Sequence, residues 1–493
     1  MSSIFFQKLK IENYKCFSDH EIQLSKPDGI TAGSGLNVLI GENGNGKTSL
    51  LEALNLIGQS SFAAENRINI NDFSDHSNPI KISVETPAFV CNMPDLYRGC
   101  TFNSTGIEFQ AKSRNRKAPG KLLSSPLQIN SKFITTESSY LKANGESAKK
   151  AIPPLATSYS SGAIKSDNFN VFYFDKNRTR QLSSGTYKTT FERICDDLNW
   201  RFVKNLEDTG TAEMLKTISD GYFLETMNIA RKGTGKKLSE EVSNFFGDQQ
   251  FQDLRIDLLD LLHPFTNAFF AVRPDDRFKQ IAPKNLGSGV EIILTLLLLR
   301  SISSESKGSI IYLIDEPELH LHPSAQQKLA ELLLAESVNS QIVVSTHSPY
   351  LIRGFMTDAA NKIILTRDGN GIDVSYPATS TNKLFPWSPS WGEVNYRAYN
   401  MATVEFHNEL YGWLQEKHSI FMERDVEIFL ETQGVSKSRQ WIKERNGVAQ
   451  QPYPITLCSY VRNSIHHPEN RNNTIYSERE LFDSIETLIS MLT

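Results

Sequence analysis

Hydrophobic and polar positions alternate at the start of the chain. Phe6, Leu9 and Ile11, then Ile22 and Leu24, flank a polar stretch at Cys16–His20, which predicts two strands joined by a turn. Gly35–Gly41 reads as a short buried strand ending in glycine, and Thr48–Ile57, with Leu50, Leu51, Leu54 and Ile57 at helical spacing, as a helix. Ile80–Val84 is a further strand. From about Cys91 to Asn170 the chain turns polar and weakly periodic. Val171–Phe174 is then a clear strand, Thr190 to about Leu262 reads mainly as helices, and Phe269–Ile281 as a hairpin around Pro274–Asp276.

Strong patterns return from Leu286. A long apolar helix (Val290–Ser301) precedes a strand (Ile310–Ile314), a helix (Ser324–Ala335), a strand (Ile342–Ser345) and a final strand near Ile363–Leu365. Strands alternating with helices predict an α/β core. A Ser/Thr/Pro-rich linker with Trp387 and Trp391 follows, then a mostly helical tail. No internal repeat is visible.

Composition narrows this only slightly. With 493 residues, Lys plus Arg 52 and Asp plus Glu 56, the formal net charge is −4. Near neutrality excludes a generally cationic nucleic-acid coat but leaves room for local basic loops such as Lys112–Lys121 and Arg231–Lys237. The five cysteines show no CxxC spacing, so neither a zinc site nor a disulfide framework is expected. The longest strongly apolar run, Ile292–Leu299, is far short of the roughly 20 residues of a membrane helix. The first residues carry charge almost at once, so no secretory leader is expected. A soluble, cytoplasmic chain is the expectation.

Candidate chemistry begins at Gly41-Glu-Asn43-Gly44-Asn45-Gly46-Lys47-Thr48, which fits GxxxxGK[ST] completely, after a strand and opening a helix. Its backbone N–H groups and the helix N-terminus suit phosphate oxygens. Lys47 suits the β- and γ-phosphates, and Thr48 Oγ suits Mg²⁺; Ser49 completes the ATP-binding set. The strand before Asp315-Glu316 ends in two carboxylates, Asp315 for the metal shell and Glu316 for the attacking water. Thirty-one residues after Glu316, His347 stands at the end of another apolar strand, suited to a γ-phosphate or its water. Ser288-Gly289 opens the long apolar helix with groups suited to an anion.

This order of motifs resembles the ATP-binding-cassette type ATPases of the RecF, SMC and overcoming-lysogenization-defect group. Leu9-Lys-Ile-Glu-Asn-Tyr-Lys-Cys-Phe17 is similar to their first strand and turn, Leu286–Val290 to a degenerate LSGGQ signature with the serine shifted by one, Glu318–Pro323 to the ELHLHP form of the D-loop, and His347 to the switch histidine. The resemblance covers about residues 1–90, 171–182 and 281–366. It implies an α/β ABC-type ATPase head, a mixed sheet with flanking helices, carrying inserted segments and a C-terminal helical domain. The expected divisions are 1–90, the first half of the head; 91–170, a polar insert; 171–182, a head strand; 183–280, a mainly helical insert; 281–375, the second half; and 376–493, linker and helical domain. It further implies Mg²⁺ and ATP, and a homodimer in which Ser288 and Gly289 act on the partner's ATP. Asp72 is a candidate for the loop between first helix and signature, or simply a turn residue. No sustained heptad repeat fills the intervening stretch, unlike the long coiled coil of SMC proteins.

In the tail, Arg462 and His467 are separated by four intervening residues, resembling the Rx4–6H signature of HEPN ribonucleases; a helix C-terminus explains the same residues. The whole arrangement looks most like the ATPase subunit of two-gene antiphage systems of the Septu type, with the PARIS ATPase a near relative. That implies control of a separately encoded HNH-type nuclease and possible nucleic-acid contact. The alternatives are an ATP-gated HEPN ribonuclease using Arg462 and His467, and a RecF-like DNA-repair ATPase.

Overall fold

The computed structural model describes residues 4–57, 68–92, 101–113, 127–136, 140–141, 147–148, 169–175, 240–245, 255–257, 269–272, 279–281, 293–294, 296–297, 309–319, 321–369, 371–378, 383–445 and 447–493. Two compact units are distinguished: Met1–Leu39, Asn43–Asn361 and Arg367–Asp373 form one, and Ile40–Glu42, Lys362–Thr366 and Val374–Thr493 the other.

The first unit is mixed α/β. β1 (Lys8–Tyr14) buries Leu9, Ile11 and Tyr14 and pairs antiparallel with both β2 (Phe17–Gln23) and β4 (Ile80–Asn92). The turn between β1 and β2 is tighter than the Cys16–His20 turn the sequence suggests. β4 runs well past Val84. Pro87, which argues against a regular strand, sits where the register shifts between Glu85 and Phe89, because a bulge tolerates the missing N–H. β5 (Thr101–Ser113) pairs with β4, and β6 (Leu127–Ile134) with β5. The two-residue strands β7 (Tyr140–Leu141) and β8 (Ser147–Ala148) extend this sheet.

Much of the described part of residues 91–170 is therefore regular antiparallel sheet, a correction to the weakly periodic reading. Ile107, Phe109 and Ala111 are fully buried and alternate with less buried Glu108 and Gln110; the period of two is real but masked by the polar composition around it.

Four strands of the second sheet run parallel. β9 (Phe169–Phe174), β13 (Ser309–Asp315), β14 (Gln341–Ser345) and β3 (Leu36–Ile40) lie side by side in that order. β3 and β14 are buried at every position, and β13 at all but the first, as expected for parallel strands covered on both faces. α1 (Lys47–Ile57) packs against β4 and β5 of one sheet and β9, β13 and β14 of the other. That explains why residues around nearly its whole circumference are buried, rather than one stripe. β10 (Arg255–Asp257), β11 (Phe269–Val272) and β12 (Lys279–Ile281) form a small antiparallel sheet containing the expected hairpin. α2 (Pro323–Glu336) follows β13 and packs on α3 (Pro349–Gly354), which follows β14; β15 (Asn361–Asp368) and β16 (Gly371–Ser375) come next.

The second unit is mainly helical: α4 (Trp391–Tyr399), α5 (Val404–His418), α6 (Glu423–Thr432), α7 (Leu457–His466) and α8 (Glu478–Leu492), with short antiparallel pairs β17 (Arg439–Trp441) with β20 (Tyr453–Ile455) and β18 (Glu444–Arg445) with β19 (Val448–Ala449). Phe406, Leu410 and Leu414 of α5 meet Cys458 and Val461 of α7 and Ile485 and Leu488 of α8 in one core. Capping boxes start α4 (Ser390 with Glu393) and α8 (Ser477 with Glu480). The described part of the expected linker is not a loose connection. Leu384 and Phe385 join the core, Trp387 stacks on Phe385 with centroids 5.1 Å apart, and Ser388 Oγ donates to buried Glu393 at 2.6 Å. Among the described residues no helix is long and apolar enough to cross a membrane.

Candidate functional site

The turn from β3 into α1 carries the glycine-rich loop. Gly44 and Gly46 have φ of +86° and +85°, conformations that residues with a Cβ adopt only at a cost. At Gly46 the requirement is also steric: a Cβ would stand 2.7 Å from Cys16 Sγ and 3.0 Å from Phe17 Cζ. The chain can therefore curl closely over the β1–β2 turn. Lys47 opens α1 and is nearly buried.

β13 and β14 deliver the remaining groups from the other side. Because Asp315 and Ser345 are direct partners in the parallel ladder, both strands end level with each other. Asp315, fully buried, accepts from Ser345 Oγ at 2.5 Å and from Thr48 Oγ1 at 3.0 and 3.2 Å on its two oxygens. Glu316 follows with φ +46°, a left-handed conformation in a non-glycine residue of the kind that concentrates at functional turns. Its N–H is held by Ser345 O and Ser345 Oγ, each at 3.1 Å.

A cleft of about 360 Å³ is lined by Asn43, Gly44, Gly46, Lys47, Thr48, Ser49, Glu316 and His347, together with Lys15 and Cys16. Of the candidates from the sequence, the structure thus gathers the loop residues, Glu316 and His347 around one space, with Asp315 directly beneath Thr48. Asn45 is buried in the same loop, and Gly41, φ +153°, opens it. Ser288 and Gly289 lie outside the described residues, as do Arg231–Lys237 and most of Lys112–Lys121.

Lys15 and Cys16 were not legible as site residues. They read as turn formers, and only the approach of the β1–β2 turn to Gly46 puts them on the cleft. Burial pushes the Cys16 thiol up from its ordinary value. Asp72 supports this turn: its carbonyl accepts from Lys15 N at 2.7 Å, its Oδ1 is 3.9 Å from Lys15 Nζ, and its Oδ2 caps Asn69 N at 2.8 Å. Lys15 Nζ also pairs with Glu52.

A hydroxyl and a carboxylate converging within hydrogen-bond distance at the end of a buried strand form a hard-oxygen pair. Mg²⁺ is commonly held by one or two such protein oxygens, with substrate phosphates and water filling the rest of its shell, so these residues fit that ion. Among the described residues no cluster of three or more His, Cys, Asp or Glu forms an all-protein metal cage.

In the second unit, Arg462 and His467 belong to α7 and its C-cap. Arg462 donates to Asn463 Oδ1 at 3.1 Å and lies over the Tyr411 ring, 5.9 Å from its centroid; His467 Nδ1 is 3.3 Å from Glu469. His467, but not Arg462, lines a separate pocket with Trp441, Asn470, Asn473 and Tyr476.

The family model described as "AAA domain, putative AbiEii toxin, Type IV TA system" matches residues 36–353, a span running from β3 through α3. The chain is 30% identical over 181 residues to the Old nuclease of Escherichia phage P2, covering 35% of this chain and 29% of that protein. It is 23% identical over 400 residues to the Retron Vc95 probable ATPase of Vibrio cholerae serotype O1 biovar El Tor, covering 74% of each. The chain thus spans less than a third of its phage P2 relative. Among solved structures, an Smc head bound to the C-winged helix domain of ScpA is similar with a TM-score of 0.44 at 16% identity, over 76% of this chain and 98% of that one.

Proposed function

The chain is an ATPase of the AAA-domain family that its residues 36–353 match, and on that premise we propose that ATP binds and is hydrolysed in the cleft above α1. The observation that carries this is the meeting of Thr48 and Asp315 below a space lined by Lys47, Glu316 and His347. The N–H groups of Gly41–Ser49 cradle the phosphates, and Lys47 places its charge on the β- and γ-phosphates. Thr48 and Asp315 would hold Mg²⁺, which neutralises phosphate charge when bound. Glu316 orients water for in-line attack and takes its proton, and His347 donates to the γ-phosphate.

The biological setting is an antiphage complex. The retron ATPase and the phage nuclease to which the chain is similar support a defence role, and the Septu type remains the finer reading. In it the chain dimerises through ATP, with Ser288 and Gly289 of one copy acting on the other's nucleotide, and controls a separately encoded HNH-type nuclease.

The test is hydrolysis by the purified chain with Mg-ATP, alone and with the neighbouring gene product. Turnover by the wild type, lost in Lys47→Ala, supports the reading. Hydrolysis unchanged in Lys47→Ala overturns it. Turnover strongly stimulated by DNA with no partner protein would favour a repair ATPase instead.

A further inference from the structure

The loop that leaves β13 and the turn that leaves β14 are tied together by two side chains that the site's chemistry does not use. A single oxygen of Glu318, Oε1, accepts from Thr346 Oγ1 at 2.8 Å, His347 N at 2.7 Å and Ser348 N at 3.1 Å. Gln326 of α2 makes the second tie: its Oε1 accepts from Ser348 Oγ at 2.5 Å and its Nε2 donates to Leu321 O at 2.8 Å. The other Glu318 oxygen, Oε2, is buried without a hydrogen-bond partner.

This arrangement is expensive. A carboxyl group with one oxygen unsatisfied in the interior costs stability, and burial raises the Glu318 carboxyl above the ordinary carboxylate range. A structural cap for the same turn needs no carboxyl: Ser348, as N-cap of α3, already holds Tyr350 N and Leu351 N with its own hydroxyl. What Glu318 adds is a hold on the backbone of His347 itself, whose side chain lines the cleft. Its own position, two residues beyond Glu316, makes the same loop carry both the water-orienting group and the anchor of the histidine.

We infer that Glu318 is the positioning residue for His347, fixing the imidazole against the γ-phosphate and yoking the loop after β13 to the turn after β14. This rests on the cleft being the ATPase site. It makes the requirement one for an acceptor at Oε1, not for a negative charge. Glutamine keeps that acceptor and alanine does not.

The experiment is steady-state ATP hydrolysis and nucleotide affinity for wild type, Glu318→Ala and Glu318→Gln. The expected result is a fall in kcat on the order of 10- to 100-fold for Glu318→Ala, the size typical of losing a group that orients a functional side chain, with affinity for ATP unchanged and kcat restored to within about threefold in Glu318→Gln. Wild-type kcat in Glu318→Ala overturns the inference. So does an equal loss in both variants, or a loss of ATP affinity that accounts for the whole effect. Should Glu318→Ala fail to fold, Thr346→Val removes one donor at nearly constant volume; reduced kcat at unchanged affinity supports the inference and wild-type kcat overturns it. A wild-type chain that does not hydrolyse ATP would instead refute the underlying site assignment.

Discussion

Thr48 Oγ1 donates to Asp315 Oδ2 at 3.0 Å across 267 residues of sequence. The first residue closes the glycine-rich loop and the second ends β13, so the contact joins the two halves of the candidate site. Asp315→Asn keeps the shape but removes the charge that would face a cation. We expect hydrolysis at least about 100-fold slower and a higher Mg²⁺ concentration at half-maximal rate, read by titrating Mg²⁺ at saturating ATP. A Mg²⁺ dependence equal to wild type would separate Asp315 from the metal.

Glu316→Gln should bind ATP with wild-type affinity and turn it over at least about 100-fold more slowly, because an amide cannot take the proton of the attacking water. The ATP-bound form should then accumulate as a dimer in light scattering. Turnover at the wild-type rate would remove Glu316 from the chemistry.

Gly46→Ala forces a side chain into a left-handed conformation and against Cys16 Sγ, 2.7 Å away. The strain is about 1–3 kcal/mol. The loop can relieve it only by moving away from the β1–β2 turn, so nucleotide affinity should fall at least about tenfold in calorimetry. Binding as tight as wild type would mean that the close approach is dispensable.

His407 is fully buried, with Nε2 2.8 Å from Ser484 Oγ, and burial, with the charge of His466, pushes it down to about 3. Unfolded, it takes up a proton below about pH 6.5; folded, it stays neutral until about pH 3. The unfolded state therefore binds more protons through that window. Stability is fully present above pH 6.5 and falls as the pH drops, by up to about 1.4 kcal/mol per unit. Trp387, Trp391, Trp413 and Trp441 all lie in the helical unit, so fluorescence follows its unfolding by urea. Wild type should lose on the order of 2 kcal/mol more between pH 7 and pH 5 than His407→Leu does. Equal acid sensitivity of the two would place the proton uptake elsewhere.

Arg462 is engaged with Asn463 and the Tyr411 face, and His467 with Glu469. We expect the Arg462→Ala, His467→Ala double variant to hydrolyse ATP like wild type, and the purified wild type not to cleave RNA. RNA cleavage abolished by the double variant would make the chain itself the effector.

Much of the first unit was legible because its signals are local. The run from Leu36 to Thr48 is apolar, then glycine-rich, then helical within about a dozen residues, and each part follows from steric freedom or periodicity over a few positions. The strand before Asp315 and the one before His347 are uninterrupted apolar runs, as parallel strands covered on both faces must be. β5 and the region around Phe385 were less legible. Polar composition hid the alternation of Ile107, Phe109 and Ala111, and a Ser/Thr/Pro-rich segment gives no sign that Ser388 will serve buried Glu393.

The sequence by itself determined the glycine-rich turn between strand and helix, the positions of Asp315, Glu316 and His347 at strand ends, and the alternation of strands and helices, since each depends on neighbours within a turn or two of chain. Only the tertiary structure decided that the β1–β2 turn would press Lys15 and Cys16 onto Gly46, that Asp72 would brace that turn, and that Glu318 would grip the backbone of His347. Those relationships join residues about 30 to 60 positions apart through sheet register and loop packing, and the pairing of two strands is set by the whole core between them rather than by either partner's own sequence.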